Sequence, residues 1–374
     1  MKSKFTKLII STLILAMTFS CTKTQNENSE HYNISSNSNI ESKYGVDYKY
    51  YDIFNFKTEK IIIPKNQTIS QSLSVLVNDG EGNLIVFDGG RVEDADYLCN
   101  IIKDNGGVVK HWFITHIHDD HIGALYKILA DKRNDVVIEN LFYDFADFDW
   151  YYEKMGNDSG IYFLFTNALN EYNNFLNETG KNLIEISDVS RYQFPFFYKY
   201  KWYNNELKKW ENVTSSKVVV KVLNNHYELD RDPINNTSIT YMVEIGKTSL
   251  LIFGDLGYDG GNKLFDECFK WKGTPYPDGS GYYKNDTYEA KDDFISGRDF
   301  DSIDIIQLSH HGQNGIDPEL YKKLKPKVVI WPTSKDVYEN AHGTYLTDET
   351  KKALKEIDSI KYEFKSYEET AVLR

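Results

Sequence analysis

At 374 residues, 41% hydrophobic and rich in aromatics (28 Tyr, 21 Phe), the chain has the composition of a packed globular protein rather than a disordered one. Its formal net charge of −13 argues against a general nucleic-acid binder, because phosphate contacts need clustered Lys and Arg. A local basic groove or a metal site can still hold a phosphodiester.

The chain opens with MKSKFTKLIISTLILAMTFSC. Lys2, Lys4 and Lys7 precede an apolar run from Leu8 to Met17 that is too short to span a bilayer, and Ser20 then precedes Cys21. This layout (1–21) resembles a bacterial lipoprotein signal, although Thr18 stands where Leu is usual. It implies an extracytoplasmic protein held to the bacterial membrane by a lipidated Cys21; a secreted, cleaved protein is the alternative. Residues 22–47 are polar and Ser/Asn-rich, as in a flexible tether. The remaining cysteines, Cys99 and Cys268, can form one disulfide or stay as two buried thiols.

From residue 48 onward, strand and helix patterns alternate. SLSVLV and NLIVFD flank NDGEG, a hairpin signal. VEDADYLCNIIKDNGG carries Leu98, Ile101 and Ile102 at helical spacing and ends on Gly106-Gly107. VVKHWFIT reads as a buried strand, and IGALYKILADK as a helix with Ile122, Leu125, Tyr126 and Leu129 on one face. Residues 139–212 show weak periodicity and many aromatics, and read as an insertion over a core domain spanning 48–374. Strands return in KVVVKVL, SITYMVEI, SLLIFGD, IDIIQLS and KVVIWPTS, accompanied by helices PELYKKL and TDETKKALKEI, the latter with Thr347 as N-cap. Two β-rich halves, each with helices, predict an α/β fold of two stacked sheets with helices outside.

The densest chemical signal is HIHDDH, residues 116–121, directly behind a buried strand. If that strand ends at Thr115, His116 and His118 point the same way and converge on one ion, while Asp120 and His121 reach a second. Imidazoles and a carboxylate suit zinc or a similar transition metal. Gly123 would let backbone pass close by.

The H-x-H-x-D-H spacing resembles the metallo-β-lactamase superfamily, whose αββα sandwich holds one or two metals at the sheet edges. The resemblance extends in chain order. It implies that Asp88 in IVFDGG orients the histidine loop without ligating, that Asp255 in LLIFGDLG bridges two metals, and that His311 in LSHHGQ is a ligand. A further histidine usually precedes the bridging aspartate; His226 is the candidate, with Asn235 or Asn236 as replacements. The metal set is therefore His116, His118, Asp120, His121, His226, Asp255 and His311, and the catalytic set is Asp120, His310 and His342. His111 reads as structural.

The combination of Asn235-Asn236-x-Ser238, FGD and HHG looks like the metallo-hydrolase domain of ComEC competence proteins, and is similar to teichoic-acid phosphorylcholine esterases. The resemblance implies a hydrolase with two divalent metals, zinc or manganese, that activate water to cleave a phosphodiester in a small molecule or surface polymer. Aromatics interleaved with charges at 142–152 and 192–210 suit a lid, or a platform for sugars or quaternary ammonium groups. Two other readings stay open: a surface binding protein for a glycan or choline-bearing ligand with a structural metal site, and a secreted nuclease contacting nucleic acid.

Overall fold

The computed structural model describes residues 42–187, 218–272 and 303–374, with short strands at 198–199, 201–204, 209–212 and 287–290. All the described residues belong to one unit. The expected signal segment, most of the expected tether, the side chains of the second aromatic run and that of Cys268 lie outside the described residues. Among the described residues, no helix is long and apolar enough to cross a membrane.

The first sheet is built from β1 (Tyr48–Tyr51), β2 (Lys60–Ile63), β3 (Val75–Asn78), β4 (Leu84–Phe87), β5 (Val108–Phe113), β6 (Val137–Ile138), β7 (Asn140–Phe142) and β8 (Ile184–Ile186), joined by the last strand of the chain, β20 (Thr370–Leu373). Its order is β1-β20-β2-β3-β4-β5-β7-β8, with β6 also on β5. The second sheet uses β9 (Tyr198–Lys199), β12 (Val218–Val222), β13 (Tyr241–Ile245), β14 (Thr248–Ile252), β17 (Ile305–Gln307), β18 (Val328–Trp331) and β19 (Tyr362–Lys365), in the order β19-β18-β17-β14-β13-β12-β9. Two separate hairpins pair β10 (Lys201–Asn204) with β11 (Lys209–Asn212) and β15 (Phe269–Lys272) with β16 (Thr287–Ala290).

Central strands are apolar on both faces because both faces are covered. On β4, Ile85 and Phe87 enter the core between the sheets while Leu84 and Val86 pack outward. On β18, Val328 and Ile330 point inward, and Val329 and Trp331 outward. The outer side of the first sheet is covered by α1 (Ala95–Asp104), α2 (Asp119–Ala130) and α4 (Gly160–Glu178), with α3 (Phe148–Met155) preceding α4. The second sheet is covered by α5 (Tyr258–Cys268), α6 (Pro318–Leu324) and α8 (Thr347–Lys355), with the short α7 (Lys335–Glu339) between the last two. The architecture is the expected αββα sandwich.

Three expectations need correction. Residues 139–187 are not a separate insertion: β7 and β8 are strands of the first sheet, and α4 buries Phe165, Ala168, Leu169, Tyr172 and Leu176 at helical spacing. That stripe was obscured by the many aromatics on the helix's other faces. The end of the expected tether is docked, with Val46 buried and the Lys43 amide donating to Asp104 Oδ1 at 2.9 Å. Thr347 is the first residue of α8, buried, rather than its cap.

Directly beneath the HIHDDH loop, the two sheets are joined by aromatics. Phe113 stacks on Phe87 and Phe142 with ring centroids 5.3 and 4.6 Å apart. The Tyr241 hydroxyl of the opposite sheet donates to the Ile114 carbonyl at 2.7 Å. His111, on β5, is buried against Phe113 and Phe142; burial pushes its pKa down to about 3, so it is neutral and structural.

Gly123 sits where α2 crosses the loop after β4. A Cβ there would lie 2.6 Å from the Val92 nitrogen and 2.8 Å from the Arg91 carbonyl carbon. Because backbone cannot swing aside as a side chain can, Gly123→Ala is expected to cost about 1–3 kcal/mol despite alanine's better helix propensity. Thermal unfolding reads this directly, and an unchanged midpoint would show that the loop yields.

Candidate metal centre

The site begins where β4 ends. Asp88 takes the left-handed conformation (φ 53°), turning its carboxylate towards the end of β5. Fully buried, it accepts from the Thr115 amide (2.7 Å), the Thr115 hydroxyl (2.7 Å) and His121 Nδ1 (2.8 Å). Burial raises the Asp88 pKa, and these donors oppose that rise. The bond to Nδ1 leaves His121 Nε2 facing away from Asp88, towards the site.

After β5, the Thr115 carbonyl accepts from the Ile239 amide at 2.9 Å, tying the two sheets, and the chain then turns through His116 and His118. His116 Nε2 lies 3.0 Å from His118 Nδ1. Burial pushes the His116 pKa well down and lowers that of His118, so both rings are neutral. Asp119 and Asp120 occupy the first turn of α2, where the helix dipole favours negative charge.

The second sheet supplies the other half. Gly254, in the left-handed region at φ 61°, lets the chain leaving β14 pass against Thr115, where a Cβ would lie 2.7 Å from the threonine Cβ. Asp255 follows, its amide donating to Ser238 Oγ at 3.0 Å. After β17, His310 and His311 both adopt positive φ (47° and 57°), an arrangement costing about 1–2 kcal/mol per residue. His311 Nδ1 donates to the Pro332 carbonyl at 2.5 Å, which aims Nε2 at the site.

Two groups of potential ligand atoms result: His116, His118 and Asp255, and Asp120, His121 and His311. Asp255 reaches both, with Oδ1 3.1 Å from His121 Nε2 and Oδ2 3.2 Å from His311 Nε2. Yet His121 Nε2, Asp255 Oδ1 and His311 Nε2 are all buried without a hydrogen bond of acceptable geometry. Converging, unsatisfied nitrogen and carboxylate atoms fit divalent cations of the zinc type.

Within the site, opposite charges face one another. Burial opposes ionisation of Asp120 and Asp255, but the neighbouring histidines hold both below the ordinary carboxylate range. Burial likewise opposes charge on His121, but Asp255 and Asp88 raise its pKa well above the usual value. For His311, Asp255 and Asp120 outweigh burial and push it up to about 9.

Three expected site residues lie outside both groups. His226 is not with the candidate ligands: its Nδ1 is 2.8 Å from Asp144 Oδ1 and its Nε2 3.5 Å from Glu228. The chain upstream of Asp255 instead brings in Asn236, whose Oδ1 accepts from the Gly257 and Gly260 amides (3.0 Å each), and Asn235, whose Nδ2 lies 2.8 Å from Asp232 and 3.4 Å from His310 Nε2. His342 is exposed on the loop after α7. His310 is half-buried and lines an adjoining cavity of about 610 Å³. Arg91, which sequence reasoning missed, contacts Asp119 at 2.7 Å and Asp120 at 3.4 Å. Its place directly after Asp88-Gly-Gly was the available signal.

Residues 68–196 match the profile of the metallo-beta-lactamase superfamily. No curated protein sequence matches the chain. Similar solved structures include the metallo-beta-lactamase fold protein YhfI from Bacillus subtilis, at 10% identity over 85% of this chain and 100% of that one (TM-score 0.44). The short form of human tRNase Z is similar at 15% identity over 55% and 74% (TM-score 0.28), and a diphosphatase of the PhnP family at 11% over 73% and 85% (TM-score 0.32). Such low identities and scores carry no weight beside the matched segment and the ligand geometry.

The raised histidines make a pH prediction. Below pH about 9 His311 is protonated in the stripped protein, so a cation must displace that proton to use Nε2. Apparent zinc affinity should therefore rise about tenfold or more per pH unit up to that value, with the His121 proton, also held by its carboxylate neighbours, adding to the rise. Competition titrations against a chelating dye across this range test it; a flat profile would mean that His311 is not a ligand.

Proposed function

We propose that this chain, a hydrolase of the metallo-β-lactamase fold, cleaves a small phosphodiester with two divalent cations, zinc or manganese. Asp255 carries the reading: it completes the group of His116 and His118 while its two oxygens face His121 and His311. A shared carboxylate suits paired cations. Paired cations suit phosphoryl displacement, in which charge develops on both the attacking and the leaving oxygen. When bound, they neutralise that charge and lower the pKa of water.

The chain's own residues do the rest. Asp88 and the Pro332 carbonyl preset the orientations of His121 and His311, so the site is arranged before substrate arrives. Asp120, 3.1 Å from His311 and 3.9 Å from His121, is placed to orient the attacking water. His310 presents its ring to the cavity, where a departing oxygen can receive a hydrogen bond.

The cavity supports a small substrate. Among the described residues, Asp232, Asp259, Asp317 and Glu349 line it against a single cationic side chain, Arg231. That arginine is itself engaged, 3.9 Å from Asp259 and 5.5 Å from the Tyr258 ring centroid. An excess of carboxylates repels a polyanion, which favours a small diester or a surface-polymer phosphoester over nucleic acid. Within the superfamily, the Asn235-Asn236-x-Ser238 and His310-His311-Gly312 patterns resemble those of ComEC-type metallo-hydrolases. We infer an extracytoplasmic, lipid-anchored location from the pattern of residues 1–21.

Full-length protein loaded with zinc or manganese is expected to hydrolyse bis(p-nitrophenyl) phosphate, to lose that activity to a chelator, and to leave single-stranded DNA and β-lactams largely intact. His118→Ala or Asp255→Ala should bring turnover to the level of the stripped protein. Metal bound without turnover of any ester would point instead to a surface binding protein whose cations are structural.

A further inference from the structure

We propose that Arg91 is a positioning residue for Asp120, and that through it the guanidinium governs occupancy of the second cation group (Asp120, His121, His311) but not the first (His116, His118, Asp255). The inference rests on the two-cation reading above and goes beyond it.

The side chain of Arg91 is held at several points. Its own amide donates to Asp94 Oδ2 at 2.8 Å, and the neighbouring loop is locked to α2, with the Gly89 amide on the His121 carbonyl (2.6 Å) and the Ala124 amide on the Gly90 carbonyl (3.1 Å). From that base Nε donates to the Gln71 carbonyl at 2.9 Å, Nη1 to Asp119 at 2.7 Å, and Nη2 points at Asp120 Oδ2 at 3.4 Å. A planar fork fastened at two corners has little freedom at the third.

Among the described residues, the other charged contacts of the Asp120 carboxylate are His121 and His311, members of its own ligand group. Arg91 is therefore the contact that can hold the carboxylate in place independently of the ligands. Among the described residues, no arginine touches the first group, where the Asp255 amide donates to Ser238 Oγ and His116 Nδ1 lies 3.1 Å from the Thr115 hydroxyl. This asymmetry makes the expected effect specific to one group.

An arginine also carries positive charge, which would repel a cation. Here the 2.7 Å contact with Asp119 offsets that charge locally, whereas among the described residues no group outside the ligand set orients Asp120 in place of Arg91. Positioning should dominate, and loss of such an outer partner typically costs about 10–100-fold in metal affinity.

The test is titration of stripped, full-length protein with Zn²⁺ against a chelating dye, with bound zinc counted by elemental analysis. Wild type should take two cations per chain. Arg91→Met, which keeps the apolar stem, should bind the first unchanged and the second about 10–100-fold more weakly. Arg91→Lys should show a smaller loss at the same step, because one ammonium cannot serve both aspartates. Three results would overturn the role: two unaltered steps in Arg91→Met, equal weakening of both steps, or tighter binding of the second cation. If Arg91→Met does not fold, Arg91→Lys decides by the same criteria. Wild type binding fewer than two cations would overturn the two-cation reading and this proposal together, and is told apart because it needs no variant.

Discussion

Everything at the functional end of this molecule follows from burying carboxylates and imidazoles together at the rim of an apolar sandwich. Asp88, His116, Asp120, His121, Asp255 and His311 are almost inaccessible to solvent. An isolated charge in such a place is prohibitively costly, and even a matched pair recovers its lost hydration only with good geometry. The pairs formed here are incomplete, since buried atoms of His121, Asp255 and His311 converge without hydrogen bonds. Those converging atoms fit divalent cations of the zinc type.

Holding these groups in place demands a rigid base and some strain. The base is the aromatic contact between the sheets, where Phe87, Phe113 and Phe142 stack and Tyr241 bonds across to Ile114. The strain lies at the strand ends, where Asp88, His310 and His311 all accept left-handed backbone. Such conformations persist only where surrounding structure enforces them, and they concentrate at sites whose geometry must be set in advance. Consecutive left-handed residues let His311 turn into the ligand group while His310 faces the cavity.

The two candidate groups also draw on different parts of the chain. His116, His118, Asp120 and His121 come from a single loop and helix start, while Asp255 and His311 arrive from the opposite sheet. Neither group is complete until the sheets have stacked, so both depend on formation of the whole sandwich rather than of a local loop. The cavity beside His310 belongs to the second half of the chain, and Asp232, Asp259, Asp317 and Glu349 are among its lining residues.

Much of this was legible in the residues. Buried strands could be read from VVIW and LIVF, the hairpin from NDGEG, and the metal chemistry from HIHDDH, because periodicity, turn residues and ligand spacing are local properties of a sequence. Other features depended on contacts between distant segments. His226 looked like a ligand by its order in the chain, yet it pairs with Asp144, a residue of the other half. The aromatic run after residue 139 concealed strands β7 and β8 because their partners, not their own pattern, define them as sheet members. Arg91 showed no ligand-type signal, and its link to Asp120 exists only because Gly123 lets the loop after β4 lie against α2. Donor type and local spacing are covalent facts, so the metal-ligand character of HIHDDH can be read before any fold is known. Which donors meet and which neighbours orient them depends instead on how two sheets, far apart in the chain, pack face to face.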